Sequence, residues 1–226
     1  MTRATGLGAG LSVMAAASAL EAEKVDLLSP RLTGSGEALR MPPLRDERRD
    51  RSPEDRHWAV DRAGLGYMVT GSMALNYYAL PRMTRDIDLV VELSPHDADR
   101  IVDLFGGDFY VDGEAVRLAI ERREAFNAIE MTRVVKTDFV VRKESAYRRT
   151  EFARKRQVSV DGHQLFIVAP EDLVISKLDW ARDTRSETQL GDVRNILESV
   201  RDLDHAYLAE WIAHLGLDAL YREVSR

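Results

Sequence analysis

VTGSMALNYYALPRMTRDIDLVVEL, residues 69–93, is the stretch of sequence that decides the fold. Around its beginning, the pattern predicts a short buried strand over 66–70, a turn at Gly71 and a helix over 72–80 that the following proline ends. Its last part, 86–93, alternates β-branched and other apolar residues with polar ones and predicts a second strand. The run therefore predicts a strand, a tight turn, a helix and a second strand in close succession.

Two aspartates stand at the beginning of the second strand. Asp86 and Asp88 are separated by one residue, so their carboxylates leave the same face of the strand. Ile87, Leu89 and Val91 alternate with them and are expected to point into the core. Neighbouring carboxylates repel each other unless a positive charge lies between them. A divalent cation that prefers oxygen ligands, Mg²⁺ or Mn²⁺, is the natural partner, and the pattern predicts a metal site on a rigid strand.

A third aspartate and a glycine–serine turn complete the candidate site. Asp138 lies inside the apolar run 134–141, where a charged residue is unfavourable unless it is paired or bound to metal. If this strand lies beside the strand of the aspartate pair, three carboxylates converge, as a two-metal transfer of a phosphoryl-type group requires. Gly71 and Ser72 lie between strand and helix, where backbone amides can meet a phosphate and glycine permits a close approach.

The remaining sequence predicts an α+β fold. Strands cluster in the middle of the chain and helices at its end, without regular strand–helix alternation, which indicates a small mixed sheet flanked by helices and a helical C-terminal part. Trp180 and Trp211 are expected to pack between the last helices. The further predicted elements are a helix over 95–105, a short helix over 114–123, strands over 127–131 and 134–141, a basic helical stretch over 143–156, a hairpin over 157–168 with an Asp161-Gly162 turn, and helices beginning at Pro170, at Ser186 and within 205–224.

Composition limits the classes of protein that the chain can belong to. The 226 residues contain no cysteine, which excludes disulfides and thiolate metal sites and fits a cytoplasmic location. The formal net charge of -6 gives no overall attraction to nucleic acid. We expect a disordered N-terminal extension over 1–55, a core over 56–168 and a helical part over 169–226 packed on that core. Residues 6–20 are small and apolar; a signal peptide or a mis-assigned start stays open, but a membrane-spanning helix needs a longer stretch.

Three motifs together resemble one family. They are Gly71-Ser72, then Arg82-x-Thr84-x-Asp86-Ile87-Asp88, then Lys136-Thr137-Asp138. This pattern resembles the nucleotidyltransferase fold superfamily and, within it, particularly the AbiEii-like group of bacterial toxins from toxin–antitoxin and phage-defence systems. A later run is similar to the second half of the same group, through Pro170-Glu171-Asp172-Leu173, Lys177-Leu178 and Asp192-Val193-Arg194. The resemblance extends over about residues 64–200, and a motif of this kind gains weight from its strand and helix context.

The resemblance implies a role for each matching residue. Asp86, Asp88 and Asp138 would be the catalytic, metal-binding carboxylates, with Asp138 as the third ligand or as the base for the acceptor hydroxyl. The nucleotide-binding residues would be Gly71 and Ser72 at the phosphates, Arg82 and Thr84 in the loop before the acid pair, Lys177 at the triphosphate, and Asp192 beside that lysine or the nucleotide.

The implied function is transfer of a nucleoside monophosphate from an NTP to a hydroxyl of RNA, such as tRNA, or of protein. The enzyme would be a toxin or phage-defence protein with a possible antitoxin partner and no membrane partner. Basic residues within 142–156 could bind RNA phosphates or could form a solvated helix face. Two alternatives stay open: an enzyme that modifies a small molecule such as an aminoglycoside antibiotic, and a non-catalytic module of the same fold that binds a nucleotide or a partner.

Overall fold

The computed structural model describes residues 60, 63–84, 86–107, 109–131, 135–160 and 163–225. The predicted N-terminal extension over 1–55 and the predicted Asp161-Gly162 turn lie outside these residues. The strands are β1 (Gly66–Thr70), β2 (Asp86–Glu92), β3 (Phe109–Val111), β4 (Ala125–Glu130), β5 (Val135–Val141), β6 (Arg156–Val160) and β7 (His163–Ile167). The helices are α1 (Gly71–Tyr78), α2 (Ala98–Phe105) after a 3₁₀ turn at Pro95–Asp97, α3 (Gly113–Arg122), α4 (Ala146–Ala153), α5 (Pro170–Thr184), α6 (Glu187–Ser199), α7 (His205–Leu215) and α8 (Asp218–Val224).

The described strands form one mixed sheet in the order β3-β4-β5-β2-β1-β7-β6. Strand β2 lies at its centre, antiparallel to β1 and parallel to β5, and β1 is in turn parallel to β7. The last four helices follow the sheet, and α1 packs against α5 and α6 as well as against β2. The predicted α+β class, with a small mixed sheet flanked by helices and a helical C-terminal part, is confirmed. The boundary between a core over 56–168 and a C-terminal part over 169–226 stays a proposal.

Alternation along the two central strands separates an apolar face from a polar one. Ile87, Leu89 and Val91 of β2 are buried in the core, as the sequence predicts. On β5, Phe139 is also buried and stacks on Phe126 at 4.9 Å between ring centroids. Because successive strand side chains point to opposite faces, the aspartates of β2 and β5 lie on the other side of the sheet.

Several local predictions differ from the structure. Strand β3 was not predicted; it has three residues and gains its pairing from β4. Helix α1 ends at Tyr78, before Pro81 is reached. Trp211 packs against Tyr147 of α4, at 5.2 Å between ring centroids, and the prediction for Trp180 is wrong because this residue is 68% exposed. Among the described residues, no helix has the length and apolar character that a bilayer span needs.

The basic residues within 142–156 are largely bound to acids of the same chain. The ion pairs are Arg142–Glu92, Arg142–Glu144, Arg148–Glu151, Arg148–Asp179, Arg154–Glu171, Arg154–Asp172 and Arg156–Glu171. Asp172 is completely buried and also accepts a hydrogen bond from the hydroxyl of Tyr207 at 2.6 Å. These contacts attach α4 and β6 to α5. Guanidinium groups held by buried carboxylates are less available to RNA phosphates than a solvated basic patch would be.

Candidate active site

The parallel pairing of β2 and β5 brings the predicted carboxylates together. Asp88 lies directly opposite Asp138, and Asp86 lies opposite Lys136. Paired residues on adjacent strands point to the same face of a sheet and are separated by about 5 Å. The two aspartates from β2 and the one from β5 therefore share one face at the edge where β1 passes into α1.

Gly71 allows Asp88 to approach the turn between β1 and α1. The residue has φ +62°, a left-handed conformation that favours glycine, and a Cβ added to it would lie 1.9 Å from Oδ2 of Asp88. The sequence suggested that this glycine admits a ligand. In the structure it is the Asp88 carboxylate that fills the space beside the glycine, so the side chain and the turn are fitted to each other.

Burial and neighbouring charge both act on Asp88. Burial is the largest cause that raises the pKa of its carboxyl above the usual aspartate range, and the charge of Asp138 raises it further. The Lys177 ammonium and a hydrogen bond from the backbone amide of Ser72 lower the pKa, while Asp86 adds a smaller increase. Asp88 therefore interacts electrostatically with both of the other carboxylates.

Lys136 lies among these carboxylates. Its Nζ is 2.8 Å from Oδ2 of Asp138, and this hydrogen bond is the main cause that raises the pKa of the lysine, to which the charges of Asp138, Asp86 and Asp88 add. Within the described ranges, no three His, Asp or Glu side chains are grouped so that they could hold a metal ion as they stand. The face thus combines three interacting carboxylates with one ammonium group bound to Asp138.

The donor atoms on this face are of the type that a hard divalent cation prefers. All three predicted ligands are carboxylates, which are the oxygen donors that Mg²⁺ and Mn²⁺ prefer. Asp88 and Asp138 also face each other across two strands, an unfavourable arrangement for two anions unless positive charge is supplied. Lys136 supplies one such charge at Asp138. The pairing of strands therefore places suitable donor atoms on one face, although as they stand they are not grouped to hold a metal ion.

A second cluster joins four of the predicted nucleotide-binding residues, and we call Ser72, Arg82, Asp192 and Lys177 the cation network. Arg82 donates from Nε to Oδ1 of Asp192 at 2.9 Å and from Nη2 to Oδ2 at 3.0 Å. The same Nη2 donates to the hydroxyl oxygen of Ser72 at 2.6 Å. Lys177 donates from Nζ to Oδ2 of Asp192 at 2.7 Å. Asp192 of α6 thus binds both Arg82 of the loop and Lys177 of α5, and Arg82 in turn binds Ser72 of α1.

The carboxylates and the cation network interact with each other. The Asp88 charge raises the pKa of Arg82, after the larger effect of its hydrogen bond with Asp192, and the ammonium of Lys177 lowers the pKa of Asp88. Burial nevertheless lowers the pKa of Lys177 itself. The remaining predicted residue, Thr84, lies apart from the network: its hydroxyl donates to the backbone oxygen of Asp86 at 3.3 Å. Negative and positive groups therefore lie side by side around the Gly71–Ser72 turn.

Two asparagines hold the loop that carries Arg82. Asn76 donates to the backbone oxygen of Arg82 and accepts from its backbone amide, each at 3.0 Å. Asn195 of α6 makes the same pair of contacts with Leu80, donating to its oxygen at 2.7 Å and accepting from its amide at 3.1 Å. The backbone of the loop is therefore fixed from both sides.

Replacing Asn76 should loosen this loop at Arg82. We expect Asn76→Ala to lower the free energy of unfolding by about 1–2 kcal/mol, because the variant loses both hydrogen bonds at a buried side chain. Asn195→Ala is the matched control, with two exposed hydrogen bonds at Leu80 and an expected loss below about 1 kcal/mol. Urea unfolding measures both values, and equal losses in the two variants would contradict the assignment.

Sequence reasoning predicted no role in the site for three residues that contact it. Lys136 lies two positions before Asp138 on β5, so strand alternation alone places both on one face. Gln189 lies three positions before Asp192 on α6, on the same side of the helix, and its Oε1 accepts from Lys177 at 3.1 Å. Asn76 gave no comparable signal, because its contact depends on how the loop folds back onto α1.

Comparisons with known proteins leave the family open. No protein-family model matches the sequence, and no curated protein matches it. Among solved structures, the chain is similar to the antibiotic-resistance factor ANT(2'')-Ia (TM-score 0.45, 16% identity, 73% of this chain and 92% of that chain). It is also similar to an antigenic nucleotidyltransferase-like protein from Paracoccidioides brasiliensis (0.43, 16%, 61% and 68%) and to the lincosamide antibiotic adenylyltransferase LnuA bound to lincomycin (0.41, 9%, 62% and 91%). At this level of likeness, the function has to be inferred from the geometry of the site.

Proposed function

We propose that this protein is a metal-dependent nucleotidyltransferase that moves a nucleoside monophosphate from an NTP to an acceptor hydroxyl. The observation that carries the proposal is the placement of Asp88 opposite Asp138, directly beside the cation network at the Gly71–Ser72 turn. Carboxylates suit a divalent metal, and the neighbouring arginine and serine suit the phosphates that the metal would accompany. The carboxylates would bind the metal of a metal–triphosphate, and the arginine and serine would bind its phosphates.

The chemistry needs a hydroxyl, a triphosphate and a proton acceptor. In the proposed reaction, the acceptor oxygen forms a bond to the α-phosphorus, and the bond from that phosphorus to the bridging oxygen of the β-phosphate breaks. Pyrophosphate leaves with the electron pair of that bond, and the hydroxyl proton passes to a carboxylate. We assign Asp138, whose side chain is partly exposed, as this base or, alternatively, as the third metal ligand.

Asp86, Asp88 and Asp138 would hold Mg²⁺ or Mn²⁺. When bound, the metal would supply positive charge that activates the hydroxyl and stabilises the departing pyrophosphate. Asp88 would be fixed for this purpose by the turn at Gly71, whereas Asp86 is exposed at the beginning of β2. Arg82 and Ser72 would bind phosphate oxygens on the opposite side.

Direct transfer assays test this proposal. Purified protein is incubated with each α-³²P-labelled NTP, Mg²⁺ or Mn²⁺, and a cell extract separated afterwards into RNA, protein and small molecules. Label on one fraction that disappears with EDTA supports metal-dependent transfer and identifies the acceptor class. Tight NTP binding without label in any fraction would favour the non-catalytic alternative. The absence of both NTP binding and label would refute nucleotide use altogether.

The nature of the acceptor is a separate part of the proposal. RNA or protein as acceptor, with a role as a toxin or phage-defence enzyme and an antitoxin partner, rests on the resemblance of the motifs to the AbiEii-like group. Pairing of the basic residues with internal acids favours protein over RNA, and it also favours the alternative of a small molecule such as an antibiotic. Growth arrest on expression would support the toxin role, whereas antibiotic resistance would support the alternative.

Reversing one charge just before α4 and one within it tests whether the acceptor is RNA. Lys143 and Arg149 are exposed, and Arg149 contacts the backbone oxygen and carboxylate of Glu144. We expect Lys143→Glu/Arg149→Glu to change the rate of label transfer by less than about twofold, because exposed surface charges contribute little when no nucleic-acid backbone is bound to them. An RNA acceptor gripped by this surface would instead lose tenfold or more, on the order expected for lost phosphate contacts, with a shallower salt dependence.

A further inference from the structure

Lys177 is buried too deeply to be the main phosphate contact of the proposed site. Its side chain is only 4% exposed and that of Asp192 only 5%. Its ammonium is held by Oδ2 of Asp192 at 2.7 Å and by Oε1 of Gln189 at 3.1 Å. A buried ammonium needs such partners, because an unpaired charge in this position is strongly unfavourable. The lysine is therefore already satisfied by α5–α6 contacts.

Arg82 is the accessible end of the same network. Its side chain is 35% exposed, although Asp192 binds Nε and Nη2. Among the residues that the structure describes, no hydrogen bond uses its Nη1. The hydroxyl oxygen of Ser72 accepts from Nη2, so the hydroxyl hydrogen is directed to another acceptor. One guanidinium edge and one hydroxyl thus remain for a ligand at the Gly71–Ser72 turn.

Asp192 transmits the position of Lys177 to Arg82. Both of its oxygens are bound by the guanidinium group, and Oδ2 receives Lys177 as well. A carboxylate held from behind by a buried ammonium can fix a planar guanidinium in one orientation through two hydrogen bonds. Gln189 extends the same series of contacts one step further from the turn.

We propose that Arg82 and Ser72 contact the polyphosphate, and that Lys177 and Gln189 are positioning residues that act on Arg82 through Asp192. This inference rests on the proposed function, since it names which residues of that site meet the phosphates. It reassigns Lys177 from direct contact with the triphosphate, as the motif resemblance implies, to orientation of the arginine. The lysine then contributes to binding only while the arginine is present.

A double-mutant cycle tests this dependence. The dissociation constants of the four ribonucleoside triphosphates with Mg²⁺ are measured for the wild type, Arg82→Met, Lys177→Met and the double variant, with the matching nucleosides as phosphate-free probes. We expect each single substitution to weaken triphosphate binding by about tenfold or more, as loss of a charged hydrogen bond does. The double variant should bind within about twofold of Arg82→Met, because contacts in series are not additive. Nucleoside binding should be unchanged in all variants.

Two outcomes would overturn the inference, and they are distinguishable. If the wild type binds no triphosphate, the proposed function fails and the inference fails with it. If the wild type binds but the two single effects multiply, to about a hundredfold, Lys177 contacts the phosphates directly and only the inference fails. Should Lys177→Met not fold, Gln189→Met provides a milder variant. We expect it to weaken triphosphate binding slightly in the wild-type background and not at all in the Arg82→Met background. An equal effect in both backgrounds would contradict an action of Gln189 through Arg82.

Discussion

The Asp88→Asn protein is expected to lose nucleotidyl transfer by about a hundredfold or more while melting at the same or a higher temperature than the wild type. Activity falls because the variant lacks one of the carboxylates that we assign to the metal. Stability does not fall, because the partly buried carboxylate lies opposite Asp138 and its removal relieves repulsion. The asparagine keeps an amide oxygen that can accept from the backbone amide of Ser72.

The sign of the effect on stability follows from the raised pKa of Asp88. A carboxyl whose pKa is higher in the folded protein than in the unfolded chain favours folding at low pH, and this contribution is lost as the pH rises above the usual aspartate range. Near neutral pH the wild type therefore carries a destabilising charge that the variant lacks. Thermal melting at several pH values, together with the label-transfer assay, measures both parts of the prediction.

Asp103→Asn is the control for this substitution, because Asp103 is an exposed aspartate of α2 away from the site. It should leave activity and melting temperature unchanged. Retention of full activity in Asp88→Asn would exclude this carboxylate from catalysis. A large drop in melting temperature in the same variant would instead show that Asp88 mainly holds the β1–α1 turn in place.

Gly71→Ala is expected to reduce the free energy of unfolding by about 3–5 kcal/mol and to abolish transfer. The added Cβ meets two obstacles at once. An alanine at φ +62° has a strained backbone, and its Cβ would lie 1.9 Å from Oδ2 of Asp88. Relief requires the carboxylate or the turn to move, and either shift displaces Asp88 from its place beside Asp138.

Two other glycines separate these contributions. Gly216 has φ +67° with no atom within 4 Å of an added Cβ, so Gly216→Ala should cost about 1–2 kcal/mol from the backbone conformation alone. Gly191 lies in α6 next to Asp192, also without a neighbour within 4 Å, and Gly191→Ala should stabilise the helix by up to about 1 kcal/mol. Urea unfolding of the three variants isolates the Asp88 contact as the excess of Gly71→Ala over Gly216→Ala. An excess near zero would contradict it.

The centre of the fold could be predicted from the sequence because its signals are local. Alternation in 86–93 placed Asp86 and Asp88 on one face, and the glycine–serine pair marked the β1–α1 turn. The motif at 134–141 identified the strand of Asp138, but its neighbour in the sheet was only a hypothesis until the β2–β5 register was known. Helix periodicity likewise found α5 and α6 but not which of their polar residues meet.

What the sequence could not provide are contacts set by tertiary packing. The burial of Lys177 and its bond to Asp192 depend on how α5 and α6 pack against each other. A lysine near an apolar stripe gives the same sequence pattern whether its ammonium is buried or extends into solvent. The basic residues within 142–156 were ambiguous for the same reason. Glu171 and Asp172 lie later in the chain, and only folding brings them to Arg154.

The parallel pairing of β2 with β5 has a consequence for the order in which the molecule assembles. Neighbours in the sheet, these strands are separated along the chain by α2, β3, α3 and β4. Closing so long a loop is an entropic barrier that contacts between sequence neighbours do not face. Until β2 and β5 pair, Asp138 is therefore separated from Asp86 and Asp88, so the unfolded chain does not experience the repulsion between Asp88 and Asp138.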